Sequence, residues 1–317
     1  MVRCPGLPFF PTWDSLTRIL REIHEKPSLV IDEDLRGWNW RGETQVAPSS
    51  SFPLGVSDVT NNFCEKARDI YLKYVLKVKQ PDSSLLQRGR LVHQAFADSI
   101  STFKRLVYTL YPDIDGDKIY DSMVETLSPI LEVLPDRYDM LDPGYARWLY
   151  SKIWKQSART YSAELDEAKS RTPYYSVETL LSLSVPVIPE FPIDGSLLGL
   201  SRTLRVDAYL LPGLLMEIKT RKPSPIYEAS LAGYALAYES QYYTPVDYGL
   251  LVYVALPEEE GGEIHVYPRI TPITSELRSL FLEERDRRHS IIEYQGDPGK
   301  PHRCPLTCPY YQVCRRM

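Results

Sequence analysis

The stretch Arg205-Val-Asp-Ala-Tyr-Leu-Leu-Pro-Gly-Leu-Leu-Met-Glu-Ile-Lys219 reads as two short strands joined by Pro212-Gly213, and Asp207, Glu217 and Lys219 sit on them. Side chains alternate between faces along a strand, so Glu217 and Lys219 share one side, roughly 6–7 Å apart. A turn centred on Pro212 sets Asp207 opposite Glu217. Two like charges then lie about 5 Å apart at Cβ, which costs stability unless something cationic lies between them. A divalent metal meets that need. A turn centred between Pro212 and Gly213 sets Asp207 opposite Ile218 instead, and a one-residue slip reverses the face. Both registers stay open at the level of sequence.

The rest of the chain surrounds this hairpin with helical pattern. Residues 1–56 are rich in Pro, Trp, Gly and Ser, with one helix expected at 13–25. From Ser57 the spacing of Phe63, Ala67, Ile70, Tyr71, Tyr74 and Val75 predicts a second helix. Further helices are expected at 85–110, 117–134 and 143–169. A strand-like block is expected over 179–219, followed by a helix at 224–240, strands at 248–255 and 263–268, and a helix at 275–293. Strands flanked by helices on both sides in sequence imply an α/β fold, a mixed sheet covered by helices.

With 43% hydrophobic and 25% charged residues, the 317-residue chain has the composition of an ordinary globular protein. No apolar run approaches the roughly 20 residues that span a bilayer, and the N-terminus lacks the pattern of a signal peptide, so no membrane is expected and a cytoplasmic location is. A net charge of −5 argues against coating nucleic acid by bulk electrostatics and leaves room for a local basic channel.

Three of the five cysteines crowd the C-terminus as Cys304-Pro-Leu-Thr-Cys308-Pro-Tyr-Tyr-Gln-Val-Cys314. In a reducing compartment clustered thiols bind metal more often than they form disulfides. For a fourth ligand, Cys64 at the start of a patterned helix is preferred to Cys4 in a proline-rich stretch. Four thiolates suit zinc and an iron-sulfur cluster equally on ligand type. One ligand 240 positions from the other three departs from the paired knuckles of structural zinc sites, and so favours the cluster. His93, in Arg88-Gly-Arg-Leu-Val-His93, lies on the helix expected at 85–110. Metal-assisted phosphodiester hydrolysis needs carboxylates to hold Mg²⁺ or Mn²⁺, an activated water, and positive charge near the developing oxyanion. Asp207 and Glu217 can hold the metal, Lys219 can serve the charge, and an imidazole ligand shifts preference towards Mn²⁺. An exposed amphipathic edge strand would carry the same Glu217 and Lys219 alternation in solvent.

Taken in order, these motifs resemble the CRISPR-associated RecB-family exonucleases, a branch of the PD-(D/E)xK nucleases with a four-cysteine iron-sulfur cluster. Cys64-Glu-Lys-Ala-Arg68 is similar to the family's first cysteine and following arginine. Arg88 to His93 resembles its helix histidine, Arg205-Val-Asp207 and Glu217-Ile-Lys219 its two catalytic strands, and the last three cysteines its C-terminal motif. The resemblance implies a restriction-endonuclease-like mixed sheet. It makes Asp207, Glu217 and Lys219 catalytic, with His93 joining Asp207 and Glu217 as metal ligands for Mn²⁺ or Mg²⁺, and Tyr234 on the substrate side. It gives Cys64, Cys304, Cys308 and Cys314 a 4Fe-4S cluster. Residues 1–56 become an N-terminal extension, and 57–317 a nuclease domain with a helical insertion at 95–175 and a cluster lobe from 57–80 and 300–317. The implied activity is cleavage of single-stranded DNA from the 5′ end, trimming fragments for CRISPR spacer acquisition beside the integrase complex, with oligomerisation allowed. Two motifs depart from the family, with Ser230 four residues before Tyr234 where relatives usually carry glutamine and three residues between Cys304 and Cys308 where many have two, and the extra N-terminal sequence and helical stretch 95–175 suit a divergent archaeal variant. The first departure also suits a non-catalytic DNA-binding or scaffold subunit. Glu178, ahead of the strand block, is left outside the site.

Overall fold

A computed structural model describes residues 9–26, 28–61, 63–172, 174–210, 213–304, 306 and 308–317. The chain runs α1 (Trp13–His24), α2 (Val56–Val59), α3 (Arg68–Ile70) continued by a π turn at Tyr71–Val75, α4 (Ser84–Leu110), α5 (Gly116–Arg137), α6 (Pro143–Arg171) and α7 (Val177–Ser184). Then follow β1 (Val187–Ile193), β2 (Leu204–Leu210), β3 (Leu214–Lys219), α8 (Pro225–Tyr242), β4 (Tyr248–Ala255), β5 (His265–Pro272), α9 (Ser275–Tyr294) and α10 (Tyr311–Arg316). The sheet has the order β1-β2-β3-β4-β5; β3 and β4 are parallel, joined through α8, and the other pairs are antiparallel.

Helices cover both faces. Met216, Ile218, Leu250 and Val252 pack in a core with Leu91, Phe96 and Trp154 from α4 and α6. Leu215, Leu251 and Tyr253 pack in a second core with Leu231, Ala235 and Phe281 from α8 and α9. Coverage of both faces explains why β4 reads as a near-continuous apolar run and not as an alternating one. Gly233 sets the closeness of α8 to α9, since a Cβ there would lie 2.3 Å from the Phe281 ring.

The first segment joins both cores. Phe9 and Phe10 sit against Phe96 with ring centroids 5.2 and 5.3 Å away, and Gly37 donates its N–H to the buried Glu239 at 2.8 Å. At Gly37 a Cβ would fall 2.0 Å from the Leu236 carbonyl oxygen, so only glycine allows the segment to lie this close to α8.

Two expectations need correction. The helix read from Ser57 onward is broken: α2 ends at Val59, and Cys64 lies in the turns before α3, where Ala67 adopts φ +53°. The break has local causes. Thr60 bonds back to the Val56 carbonyl at 3.0 Å, Asn61 caps the Phe63 N–H at 3.2 Å, and Asp58 draws in Lys73 and Tyr74 at 2.6 and 2.5 Å. The strand-like block also begins later than read. Residues 177–184 are helical, capped by Ser176, with Leu180, Leu181 and Ser184 buried on one side.

β2 does not alternate simply. Leu204 and Val206 belong to the second core, whereas Ala208 and Leu210 belong to the first, and on β1 Ile193 and Val187 divide the same way. The exchange occurs at Glu190 and Asp207, which the register places opposite each other between the pairs Pro189↔Ala208 and Phe191↔Val206. Glu190 holds φ +49°, a left-handed conformation that turns the strand over at this point.

Candidate active site

The pairs Ala208↔Met216 and Leu210↔Leu214 continue to set Asp207 across from Glu217, the register centred on Pro212, although Leu211 and Pro212 lie outside the described residues. Asp207 Oδ2 accepts the Ile218 N–H at 2.6 Å, which ties the acid to the neighbouring strand, and its Oδ1 meets His93 Nδ1 at 2.7 Å. Lys219 Nζ donates to Glu217 Oε1 at 2.7 Å. The fold therefore brings His93, Asp207, Glu217 and Lys219 into one connected group. α4 supplies His93 because its apolar stripe, Leu91, Val92, Ala95 and Phe96, seats that helix over the sheet.

Glu217 is only 7% exposed, and its Oε2 has no hydrogen-bond partner. Burial raises its carboxyl above the ordinary value; Lys219 opposes the rise and Asp207 reinforces it. For His93, burial disfavours the charged form, but the Asp207 carboxylate outweighs this and raises the imidazole. Tyr234 on α8 is 8% exposed, and burial together with the charges of Glu217, Asp207 and Glu190 pushes its hydroxyl well up, so it stays protonated beside the acids. Ser230 does not face this group with a free hydroxyl: its Oγ donates to the Tyr227 carbonyl at 2.6 Å within its own helix. Glu178 is exposed in the first turn of α7, where its carboxyl is held below the ordinary range by Ser176.

One acid was not legible in the sequence. Glu190 lies opposite Asp207, and burial, then Asp207, raises its carboxyl while His93 opposes. Its sequence context, Pro189-Glu-Phe-Pro192, carries turn residues and no catalytic pattern.

The cysteines form a separate group. Cys64 is buried and its sulfur accepts the Arg68 N–H at 3.4 Å; the Arg68 guanidinium holds Asp297 at 2.8 and 2.7 Å and lies within electrostatic range of Cys314. Burial pushes the Cys308 thiol up to about 11, and Cys64 and Cys314 add to it. Burial also raises Cys314, against the charge of Arg68 and with that of Cys64 and Cys304 behind it. All four thiols are free; Cys308 lies within electrostatic range of Cys64 and Cys314, and Cys314 within range of Cys64 and Cys304, while Cys4 lies outside the described residues.

Among the described residues no three His, Cys, Asp or Glu side chains already converge on one point as a finished cation site. The donor chemistry nonetheless fits. A buried carboxylate oxygen without a partner, with a second acid and an imidazole in its electrostatic surroundings, fits a hard divalent cation, and free thiols at Cys64, Cys304, Cys308 and Cys314 are the donor type for a soft metal or cluster.

Residues 9–317 match the protein family described as CRISPR-associated exonuclease Csa1. A protein of Saccharolobus solfataricus with that name is 37% identical over 308 residues, covering 96% of this chain and 99% of the relative. Another of the same name from Thermoproteus tenax is 28% identical over 302 residues, covering 95% and 98%.

Proposed function

The chain belongs to the CRISPR-associated exonuclease Csa1 family, and on that premise we propose that it is a metal-dependent DNA exonuclease of the RecB type with a restriction-endonuclease-like core. The observation that carries the reading is the orphaned, buried Glu217 Oε2 beside Asp207, in a group that also contains His93 and Lys219. Asp207, Glu217 and His93 would hold Mn²⁺ or Mg²⁺, which when bound polarises a phosphoryl oxygen and lowers the pKa of a water.

The remaining work falls to the chain's own side chains. The Ile218 N–H and His93 keep the Asp207 carboxylate oriented beside Glu217. Lys219, anchored by Glu217, presents its ammonium to the charge that develops on the phosphate. Tyr234 offers a hydroxyl that remains protonated, hence a donor. Cys64, Cys304, Cys308 and Cys314 would hold a 4Fe-4S cluster that fastens the C-terminal tail to residues near 64, a structural role. Single-stranded DNA, attacked from the 5′ end, is the substrate; trimming fragments beside the CRISPR integrase in the cytoplasm is the setting. Among the described residues no helix is long and apolar enough to cross a membrane.

The test is degradation of end-labelled single-stranded DNA with Mn²⁺ by the wild type, Asp207→Ala and Lys219→Ala. We expect cleavage by the wild type alone, with unchanged circular dichroism. An Asp207→Ala protein that cleaves at the wild-type rate removes the site.

A further inference from the structure

The cleft that contains His93, Glu217 and Lys219 has a volume of about 390 Å³, and another part of its wall is made by Asp58, Asn61, Phe63, Asp69 and Lys73 together with Tyr310. On that wall Phe63 is half-buried, one residue before Cys64, and its backbone is fixed by the Asn61 side chain at 3.2 Å. Arg221, two residues beyond Lys219, places its guanidinium carbon 4.4 Å from the Phe63 ring centroid. The other cations lining the cleft are occupied: Lys73 by Asp58, Arg90 by Asp82 and Lys219 by Glu217. Among the described residues Arg221 forms no salt bridge with a carboxylate, and it packs on the Phe63 ring. The cleft thus sets a guanidinium over one face of an aromatic ring and leaves the opposite face as the one that can take a base, next to Glu217.

We infer that Phe63 and Arg221 form a nucleobase clamp for the terminal nucleotides of single-stranded DNA, Phe63 stacking a base and Arg221 holding the adjacent phosphate. The inference rests on the nuclease reading of the neighbouring acids. Every base has a π face, so an aromatic ring holds a strand without reading its sequence, as a processive exonuclease requires. A guanidinium serves the phosphate and can keep stacking on the ring while it does so. The volume of the cleft is that of a small-ligand pocket, a scale that matches a single nucleotide better than a paired duplex. Selection for unpaired ends follows from that size. Because Phe63 precedes Cys64, the cysteine lobe sets the position of the ring, which couples that lobe to substrate binding.

Binding is measured by fluorescence anisotropy in EDTA, with a labelled twelve-residue oligothymidylate and a matching oligomer of abasic deoxyribose phosphates as probes. The wild type is expected to prefer the oligothymidylate by about 5- to 140-fold, the range that one stacked base supplies. Phe63→Ala should bind both probes alike, Phe63→Trp should keep the preference, and Arg221→Gln should weaken both probes equally. If Phe63→Ala loses its circular dichroism spectrum, Phe63→Leu decides, since it retains apolar volume without a π face. A base preference that survives in Phe63→Leu, or a wild type that binds both probes equally, overturns the clamp. Failure of the nuclease reading is separable, because it appears as cleavage by Asp207→Ala and leaves the metal-free binding assay readable.

Discussion

Glu239→Gln is the sharpest test of how the fold holds α8, the helix that presents Tyr234, in place. Glu239 is fully buried and accepts five hydrogen bonds: Arg36 Nη1 at 3.1 Å, Arg278 Nη1 and Nη2 at 2.8 Å each, the Gly37 N–H at 2.8 Å and the Val246 N–H at 3.0 Å. Arg278 is equally buried. Glutamine keeps the shape and removes the charge, leaving two guanidiniums with Asp247 alone, which lies 2.5 Å from Arg36 and 3.9 Å from Arg278. Breaking a buried pair costs about 3–5 kcal/mol; Asp247 brings this towards about 3. In its better orientation the amide oxygen retains the Oε1 donors; at the Oε2 position Arg278 Nη1 falls back on the Leu35 carbonyl, its loss being part of the broken pair, and the Gly37 N–H loses its acceptor, which adds about 1 kcal/mol. The sum is about 4 kcal/mol. At about 2.1 cal/mol/K per residue, a chain of this length unfolds with an entropy near ~0.67 kcal/mol/K, so the melting temperature should fall by about 6 °C. Differential scanning calorimetry at pH 7 reads this directly. A fall under about 2 °C would refute the argument. The double variant Glu239→Leu with Arg278→Met should lose less than the two single variants together, because it removes the buried charge along with its partner.

Two further outcomes are expected. Burial, reinforced by Glu167 and Asp14, raises the Glu164 carboxyl to about 7. A raised folded-state value means that Glu164 favours the fold below its unfolded pKa and that this contribution is lost as pH rises through about 7. Glu164→Gln should therefore melt higher than the wild type at pH 8 and not at pH 4; equal shifts at both values would contradict the assignment. Cys308→Ala removes one proposed cluster ligand. The cross-link from Cys64 to the tail closes a loop of 240 residues, for which chain entropy predicts about 5 kcal/mol, or about 8 °C. Chelator-treated wild type should melt with the variant, and an unchanged melting temperature in Cys308→Ala would exclude a stapling role for the lobe.

Local pattern was enough to place much of this protein. The period of two along Met216-Glu-Ile-Lys219 put Glu217 and Lys219 on one face, and the helical stripe of 85–110 placed His93 within a long helix, because both follow from bonded geometry repeated over a few residues. Strands 248–255 and the helix beginning at Ser275 were legible for the same reason. The cysteine crowding marked the tail as a group by counting alone, whereas the choice of Cys64 over Cys4 as its partner rested on the helical pattern expected from Ser57 and stays a proposal. Sequence left the hairpin register undecided between Asp207 facing Glu217 and facing Ile218, since the turn admits both centres and only the packing of Met216 and Leu215 into opposite cores selects one. The left-handed Glu190 and the exchange of faces in β2 were invisible because they arise where two cores meet on one strand pair. The helix expected from Ser57 failed because its spacing was helical while the side chains of Asp58, Thr60 and Asn61 were spent on local hydrogen bonds. That break sets Phe63 against Arg221, 158 positions away, in the cleft beside the acids. Periodicity is a property of neighbours along the chain, whereas register, face exchange and the meeting of Phe63 with Arg221 are decided by contacts between segments that the sequence holds far apart.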